Sequence, residues 1–557
     1  MWAGLAALLA LGVVRAWQLA WVCDDAFISL RYAENLVAGH GLVYNPGERV
    51  EGYTNLLWTL GLAVLLRAGV DPLRAAELPG IAAFAALALL LARVSWLRSR
   101  EPGRAFLPLA AALVLVCEDF QVWATGGLET SLFCLLVAAG LLATRDAGPR
   151  RARPALAGCL LALAVLTRPD GLLFAAAGVA SWWMPRERLA ARERWRAALA
   201  TALPTALVLA VLVPWKLAYY GELFPTAFHS KSATRPYLWQ GLVYLGVFLA
   251  KNWFLLAAGA GALVAWALRA RPLARAARAE VAFLLASASL FAAWIVWVGG
   301  DFMAARRLLP VAPLAFLALE ERIARARVPA RGAALAGGLL VAAALPAPIF
   351  ERVGRINTIG DERRFYPPEA IEARRRQAEA VQAALAGTGA RVAFEGGMCV
   401  FGYYSRLPYL VELTGLTQYS LARRPLADRG PIGHEKVADD AWLRKNGVQL
   451  VVSQEFPPVA APKLRRHDEI FFGGLASARI VRWDDALMQA LRGRPGVDFV
   501  PIEQTLAAAA REMEAATPGR AREIFASLDA WYFSAAGPEG EPRARPLREI
   551  LQRKGMD

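Results

Sequence analysis

Residues 186–196 read RERLAARERWR, a basic stretch lying between two apolar runs, and its recurrence along the chain decides the fold. The pattern returns in Arg93 to Arg104, Arg145 to Arg153, Arg269 to Arg278 and Arg322 to Arg331, and the five stretches together hold 21 arginines and no lysine. Short positively charged loops stay on the cytoplasmic side of a membrane, so the loops between them are expected to face outward. Those loops carry Asp24, Asp25, Glu48, Glu51, Glu118, Asp119, Glu129, Asp170, Glu222 and Asp301. The acids of the apolar region therefore collect on one expected face, which makes an enzyme the first class to consider.

The bulk composition agrees with a membrane protein. A chain of 557 residues that is 57% hydrophobic, with a mean hydropathy of +0.36, exceeds the apolar share of soluble proteins. The formal charge of +16 argues for anionic headgroups and loop topology, not nucleic acid, because much of the excess sits in the basic loops. Arginine outnumbers lysine 56 to 7, which reflects a GC-rich genome. Requiring apolar runs of about 17 to 25 residues gives about eleven spans. They lie near 2 to 22, 76 to 92, 105 to 121, 128 to 144, 154 to 168, 170 to 184, 197 to 219, 253 to 268, 281 to 298, 308 to 324 and 332 to 349. The N-terminus then lies inside, in a bacterial inner membrane, and the first run is read as a retained span because no small-residue cleavage site precedes Asp24. Arg15 within it is expected to snorkel or to pair inside the bundle.

Tyr53 to Leu66 and Trp239 to Ala250 are too short to span and are expected as helices lying at the outer interface. The chain thus divides into a transmembrane part, 1–349, and an outer soluble domain, 350–557. Helical periodicity in Glu369 to Leu385 and Asp439 to Lys445 alternates with strand signals in Arg391 to Glu395 and Val448 to Ser453, which gives an α/β domain. The last 50 residues read as helical. The five cysteines show no CxxC spacing and imply no metal site; Cys23 and Cys117 both fall at outer ends of spans, where a disulfide has access but no spacing argues for one.

Candidate chemistry begins at Asp24 and Asp25, directly after the first span. One of them could cap the following helix, AFISLRYAENL, through its exposed amides; capping accounts for one aspartate, not two. A carboxylate partly desolvated beside a second has its proton affinity raised toward the range of a general base. The same loop adds His40, Glu48, Glu51, Tyr53 and Asn55. Asn45-Pro46-Gly47 is turn chemistry, and Glu48 with Arg49 reads equally as a solvated pair. Later outer loops supply Glu129 in TGGLET, Arg168 and Asp170 in TRPDG, His229 and Lys231 in YYGELFPTAFHSKS, and Asp301, Arg306 and Arg307 in GGDFMAARRLLP. Cations on the outer face run against the topology rule. Pairing with neighbouring acids explains any one of them, and binding a phosphate explains the set. A lipid phosphate would place its head there with its tail in the bilayer, an arrangement suited to group transfer from a polyprenyl phosphate carrier.

The run CDDAFISLRYAENLVAGHGLVYNPGERVEGYTNLLWT, followed in order by TGGLETSLF, LTRPDGLLF, YYGELFPTAFHSKS, GGDFMAARRLLP and VELTGLTQ, resembles the mycobacterial terminal arabinofuranosyltransferase family and its bacterial relatives, which are GT-C glycosyltransferases. The resemblance covers roughly residues 20 to 420, and the ordered set is what makes it specific. It implies a polytopic GT-C fold, an outward active site, and inverting transfer of a sugar from a polyprenyl-phosphate donor to a cell-envelope glycan or glycolipid. It also implies an acidic base in the first outer loop, where Asp24 and Asp25 stand with Glu51 close by. Relatives tend to carry aspartates where this chain has Glu395, Glu412 and Gln418, so a metal role there does not carry over. No cofactor is required by the sequence, and a divalent cation is left open. The outer domain is expected to bind the acceptor, with aromatic pairs such as Tyr403-Tyr404. Two rival classes are a transporter or flippase of lipid-linked sugar, and a non-catalytic membrane factor for envelope or motility assembly. Against the former, polar residues gather at one face and no repeat is present, whereas transporters bind near the midplane in repeated halves.

Overall fold

The structure is a computed structural model that describes residues 2–100, 106–145, 153–184, 189–255, 275–325, 338–339, 341–342, 349–453, 467–536 and 540–556. Most of the expected spans at 253–268 and 332–349, and large parts of the basic stretches, lie outside the described residues. The chain is mostly helical as far as Arg325, and a mixed sheet with flanking helices follows.

The apolar region opens with α1 (Trp2–Gln18), α2 (Ala26–Val37) and α3 (Leu56–Arg67). Next come α4 (Pro72–Arg98), α5 (Leu109–Val116), α6 (Glu118–Thr125) and α7 (Thr130–Arg145). After α8 (Pro154–Thr167) and α9 (Gly171–Ala180) runs the long α10 (Ala191–Tyr220), then α11 (Thr226–Ser230) and α12 (Leu238–Lys251). Helices Arg275–Trp297 and Ala312–Arg325 complete this part. Among the described residues, three helices are long and apolar enough to cross a membrane: Pro72–Arg98, Ala191–Tyr220 and Arg278–Trp297. A fourth crossing is available if α6 and α7, bent by 117°, act as one broken span. The chain is a membrane protein on this evidence.

Local chemistry sets the ends. α4 starts where the Asp71 carboxylate accepts from the amides of Leu73 and Arg74 at 3.0 and 3.2 Å, with Pro72 in the first helical position. It extends beyond the expected 76 to 92 at both ends. The stretch expected as one span at 105 to 121 is broken at Cys117, whose extended backbone separates α5 from α6. The break is built from buried polar groups that hydropathy does not register: Asp119 pairs with Lys251 and accepts from Asn252 Nδ2 at 3.0 Å. Both short apolar stretches are helices, α3 and α12. Arg15 is exposed on α1 and has no ion pair among the described residues, and all five cysteines are free.

The C-terminal sheet has the strand order β4-β3-β5-β7-β6-β8. Its strands are β3 (Arg391–Phe394), β4 (Tyr409–Glu412), β5 (Leu450–Val452), β6 (Glu469–Phe472), β7 (Ala476–Ile480) and β8 (Val497–Phe499). β3 runs parallel to β4 and β5, while β7 is antiparallel to β5 and β6. A small ribbon, β1 (Arg355–Ile356) with β2 (Ile359–Gly360), precedes it and touches Met303.

The sheet domain is fastened to the start of the chain. Arg31, 5% exposed, donates to the carbonyls of Tyr44, Gly402 and Leu407 at 2.7, 2.6 and 2.7 Å. Asn45 exchanges hydrogen bonds with the backbone of Leu410 at 2.9 and 3.0 Å. Phe27 packs on the rings of Tyr403 and Tyr404, with centroids 5.8 and 5.9 Å apart. Tyr403, expected as part of an acceptor surface, is 4% exposed and spends its ring on this junction.

Candidate functional site

The two adjacent aspartates divide. Neither caps α2 with its side chain. Asp24 turns into the junction, where its two oxygens accept from the amides of Cys399 and Val400 at 3.0 and 3.1 Å. Burial pushes its carboxyl up to about 6, against the pull of those amides. Asp25 turns the other way and lines a cavity of about 610 Å³. Among the described residues its carboxylate has no hydrogen bond and no ion pair.

The outer loops converge on that cavity. Tyr53, Asn55, Arg168, Asp170, Lys231, Asp301, Arg306 and Arg307 all line it with Asp25. Glu129 lies directly behind the wall, accepting from Asn55 Nδ2 at 3.0 Å and pairing with Arg168 and Arg306, each at 3.1 Å. Glu51 is also buried behind it, in an ion pair with Lys216 at 2.8 Å; burial, opposed by Lys216, pushes its carboxyl up to about 7. His229, grouped with these residues by sequence, lines a separate cavity instead.

The four cations of the first cavity are not equivalent. Arg168 is held by Asp170 at 3.0 and 2.7 Å and by Glu129, and Arg306 is held by Glu129. Pairing therefore accounts for both. Among the described residues Lys231 and Arg307 reach only one carboxylate, that of Asp301, at 4.0 and 3.8 Å, which is beyond hydrogen-bonding distance. Burial lowers the proton affinity of both. Burial alone would raise Asp301, but Lys231, Arg307 and Arg306 together hold it below the usual carboxylate range. Its Oδ2 is buried with no hydrogen-bond partner. The site therefore presents two cations whose hydrogen-bonding capacity is unspent.

The backbone explains how this loop is held. Gly300 has φ +76, and a Cβ there would fall 2.4 Å from the Tyr244 ring, so only glycine fits. Tyr244 donates to the Met303 carbonyl at 2.9 Å and accepts from the Arg307 amide at 3.1 Å. Ala305 takes φ 62, a left-handed conformation that costs an alanine about 1 kcal/mol or more. Strain of this kind, placed immediately before Arg306, marks a loop shaped for its site. The other walls are apolar: Leu172, Leu173, Ala176, Trp294 and Val298. Trp294 belongs to the membrane-length helix Arg278–Trp297, so the polar end of the cavity runs into a lipid-compatible side.

Three charged or titratable groups near the cavity, none of them lining it, escaped the sequence reading. Lys216 had a signal, a lone cation within an apolar run. Glu362 and His434 come from the sheet domain. Glu362 is buried, burial opposed by Arg355 pushes its carboxyl up to about 8, and Asp25 adds to the rise; His434 is lowered by burial. Among the described residues no group of three or more His, Cys, Asp or Glu side chains is placed to hold a metal ion.

No family model matches the chain. Among solved structures it is similar to the Archaeoglobus fulgidus oligosaccharyltransferase, with a TM-score of 0.47 and 12% identity over 81% of this chain and 69% of that one. It is also similar to ArnT from Cupriavidus metallidurans bound to undecaprenyl phosphate, with a TM-score of 0.37 and 17% identity over 78% of this chain and 77% of that one. Scores at this level do not establish a shared fold. Among curated proteins the chain is 29% identical over 339 residues to the terminal β-(1→2)-arabinofuranosyltransferase of Corynebacterium glutamicum, covering 53% of this chain and 46% of that protein. The enzyme of the same name from Mycobacterium tuberculosis is 32% identical over 350 residues, 56% of this chain and 54% of the relative. The chain thus spans about half the length of the curated relatives it matches, and over that extent it is similar to terminal arabinofuranosyltransferases.

Proposed function

We propose that this protein is a membrane glycosyltransferase. It moves a sugar from a polyprenyl-phosphate donor to a cell-envelope glycan or glycolipid on the extracytoplasmic side, inverting the anomeric centre. One observation carries the reading: the unpaired Asp25 carboxylate shares a single cavity with Lys231 and Arg307, two cations free of hydrogen bonds to acids. The names of the curated relatives support an arabinofuranosyl donor.

In this reading the acceptor hydroxyl gives its proton to Asp25 and its oxygen forms a bond to the anomeric carbon. The bond from that carbon to the phosphate oxygen breaks on the opposite face, and its electron pair leaves with the lipid phosphate. Lys231 and Arg307 stabilise that oxyanion, and Asp301 holds them in place before the donor arrives. The leaving phosphate is already charged, so no strong acid is needed. Asp24 acts through position alone, by fixing the backbone that aims Asp25. The apolar wall around Trp294 takes the first units of the lipid.

The test is transfer by the purified full-length protein in detergent, with synthetic polyprenyl-phosphate sugars as donors. Product formation in detergent separates an enzyme from a flippase, since flipping needs two compartments. A wild-type transfer rate in Asp25→Ala would eliminate the proposed base, and wild-type rates in both Asp24→Ala and Asp25→Ala would remove the acid pair from the mechanism altogether.

A further inference from the structure

Beyond Phe228 lies a second cavity, of about 220 Å³, that the transfer reaction does not use. Phe228 lines both cavities, so one aromatic ring stands between them. The polar wall of the second consists of His229, Ser232, Arg235, Arg423, Arg424 and Lys436, along with Thr234, and no aspartate or glutamate lines it.

Convergence of like charges is unfavourable, so each cation must be accounted for. Arg423 pairs with Glu222, and Arg424 pairs with Asp439 at 2.6 Å and donates to the Val437 carbonyl. Lys436 is different. Its side chain is buried, 8% exposed, and its ammonium donates only to two backbone carbonyls, those of His229 at 2.8 Å and Ala422 at 2.6 Å. Among the described residues no carboxylate lies within ion-pair distance of it. A buried ammonium has given up its hydration, and neutral carbonyls return only part of it. Nearby, the His229 Nε2 is buried with no hydrogen-bond partner. Ser232 holds φ 46, a conformation that a serine adopts only under constraint.

We propose that this second cavity is a binding site for one oxyanion, a phosphate or a carboxylate, held between Phe228–Arg235 and Ala422–Lys436. Lys436 supplies its remaining N–H, His229 donates from Nε2, and the Ser232 hydroxyl and the Arg235 guanidinium complete the donor set. The volume is below the roughly 300 to 1,000 Å³ of sites for drug-sized molecules, which suits a single charged group and not a glycan chain. Two sources carry that chemistry: an anionic phospholipid headgroup, or a charge borne by the acceptor. The site is defined by binding; the lipid source stands independently of the transfer reaction, and the acceptor source rests on that reading.

The test uses the full-length protein in phosphatidylcholine nanodiscs, titrated with inorganic phosphate and followed by NMR of its four histidines. The expected result is a saturable shift of His229 whose midpoint weakens by about tenfold or more in Lys436→Gln and in Arg235→Ala. Arg235 is exposed, so its replacement leaves the fold intact even if the Lys436 variant is unstable. An unchanged His229, equal responses in wild type and both variants, or a shift confined to His434 beside the first cavity would each overturn the proposal. Adding phosphatidylglycerol separates the sources. A lipid occupant suppresses the phosphate response and is retained in native mass spectra of the wild type but not of Arg235→Ala. An acceptor-borne charge leaves the response intact.

Discussion

Replacing Asp25 by asparagine removes a proton acceptor at nearly constant volume, and transfer is expected to fall roughly 100-fold to 10,000-fold while thermal stability stays at the wild-type value. Asp24→Asn should behave differently. One of the two amides of Cys399 and Val400 then faces an NH₂ group in place of an oxygen, and stability should fall by about 1 to 3 kcal/mol. Calorimetry and kinetics on the two variants separate these outcomes, and the reverse pattern would move the base to Asp24. Arg307→Ala, which deletes a cation on the cavity wall, should lower kcat about 100-fold to 1,000-fold with a smaller effect on donor KM. The acids at this site were legible because the basic stretches set their loops on one expected face, and the cations because they run against the topology rule there. The division of labour between Asp24 and Asp25 was not legible, since the partners of Asp24 lie about 375 residues away in the chain.

Individual elements were legible to different degrees. The α3 and α12 helices and the β3 and β5 strands follow from periodicity alone, because each buries one continuous apolar face or run. The break at Cys117 does not, since Asp119 and Lys251 satisfy each other across elements that hydropathy treats separately. The β6–β7 hairpin also went unread, because its strands are only four and five residues long, although their burial alternates and Gly473 and Gly474 turn the chain between them. The contact between α2 and the helix Cys399–Tyr404 makes the next prediction. Arg31→Ala strands the carbonyls of Gly402 and Leu407, leaves that of Tyr44 to Asn35 alone, and should cost roughly 2 kcal/mol or more, read as a fall in the apparent Tm in detergent. The same junction is pH-dependent. Asp24 is pushed up to about 6 from 3.8, and Glu412, buried at the end of β4, to about 7 from 4.5. Both folded values lie above the unfolded ones, so the native state holds more protons in that window. Stability from these groups is complete below about pH 4 and is lost as the pH rises through about 6 and 7. Limited proteolysis should therefore show the junction loosening between about pH 4 and about pH 7, with a shallower slope in Asp24→Asn.

For the whole molecule, the proposal that the cavity and the sheet domain lie outside the cell membrane rests on the arrangement of basic stretches. His40 is exposed in the first outer loop, so His40→Cys should react with a membrane-impermeant maleimide in intact cells; protection there would reverse the topology and remove the site from its substrates. Deleting residues 351–557 should do more than lower acceptor affinity. It strips Arg31, Asn45 and Asp24 of their partners in the sheet domain and should leave the loop after α2 unable to hold its shape. That dependence has a further meaning. Because Asp24, which clamps the sheet domain, and Asp25, the proposed base, are neighbours on one peptide bond, a rocking of the domain by a fraction of an ångström would reach the proposed reaction centre without any relay. An inhibitor or antibody that pries the domain away would silence the protein long before it denatured it, and from a surface that touches neither sugar nor lipid.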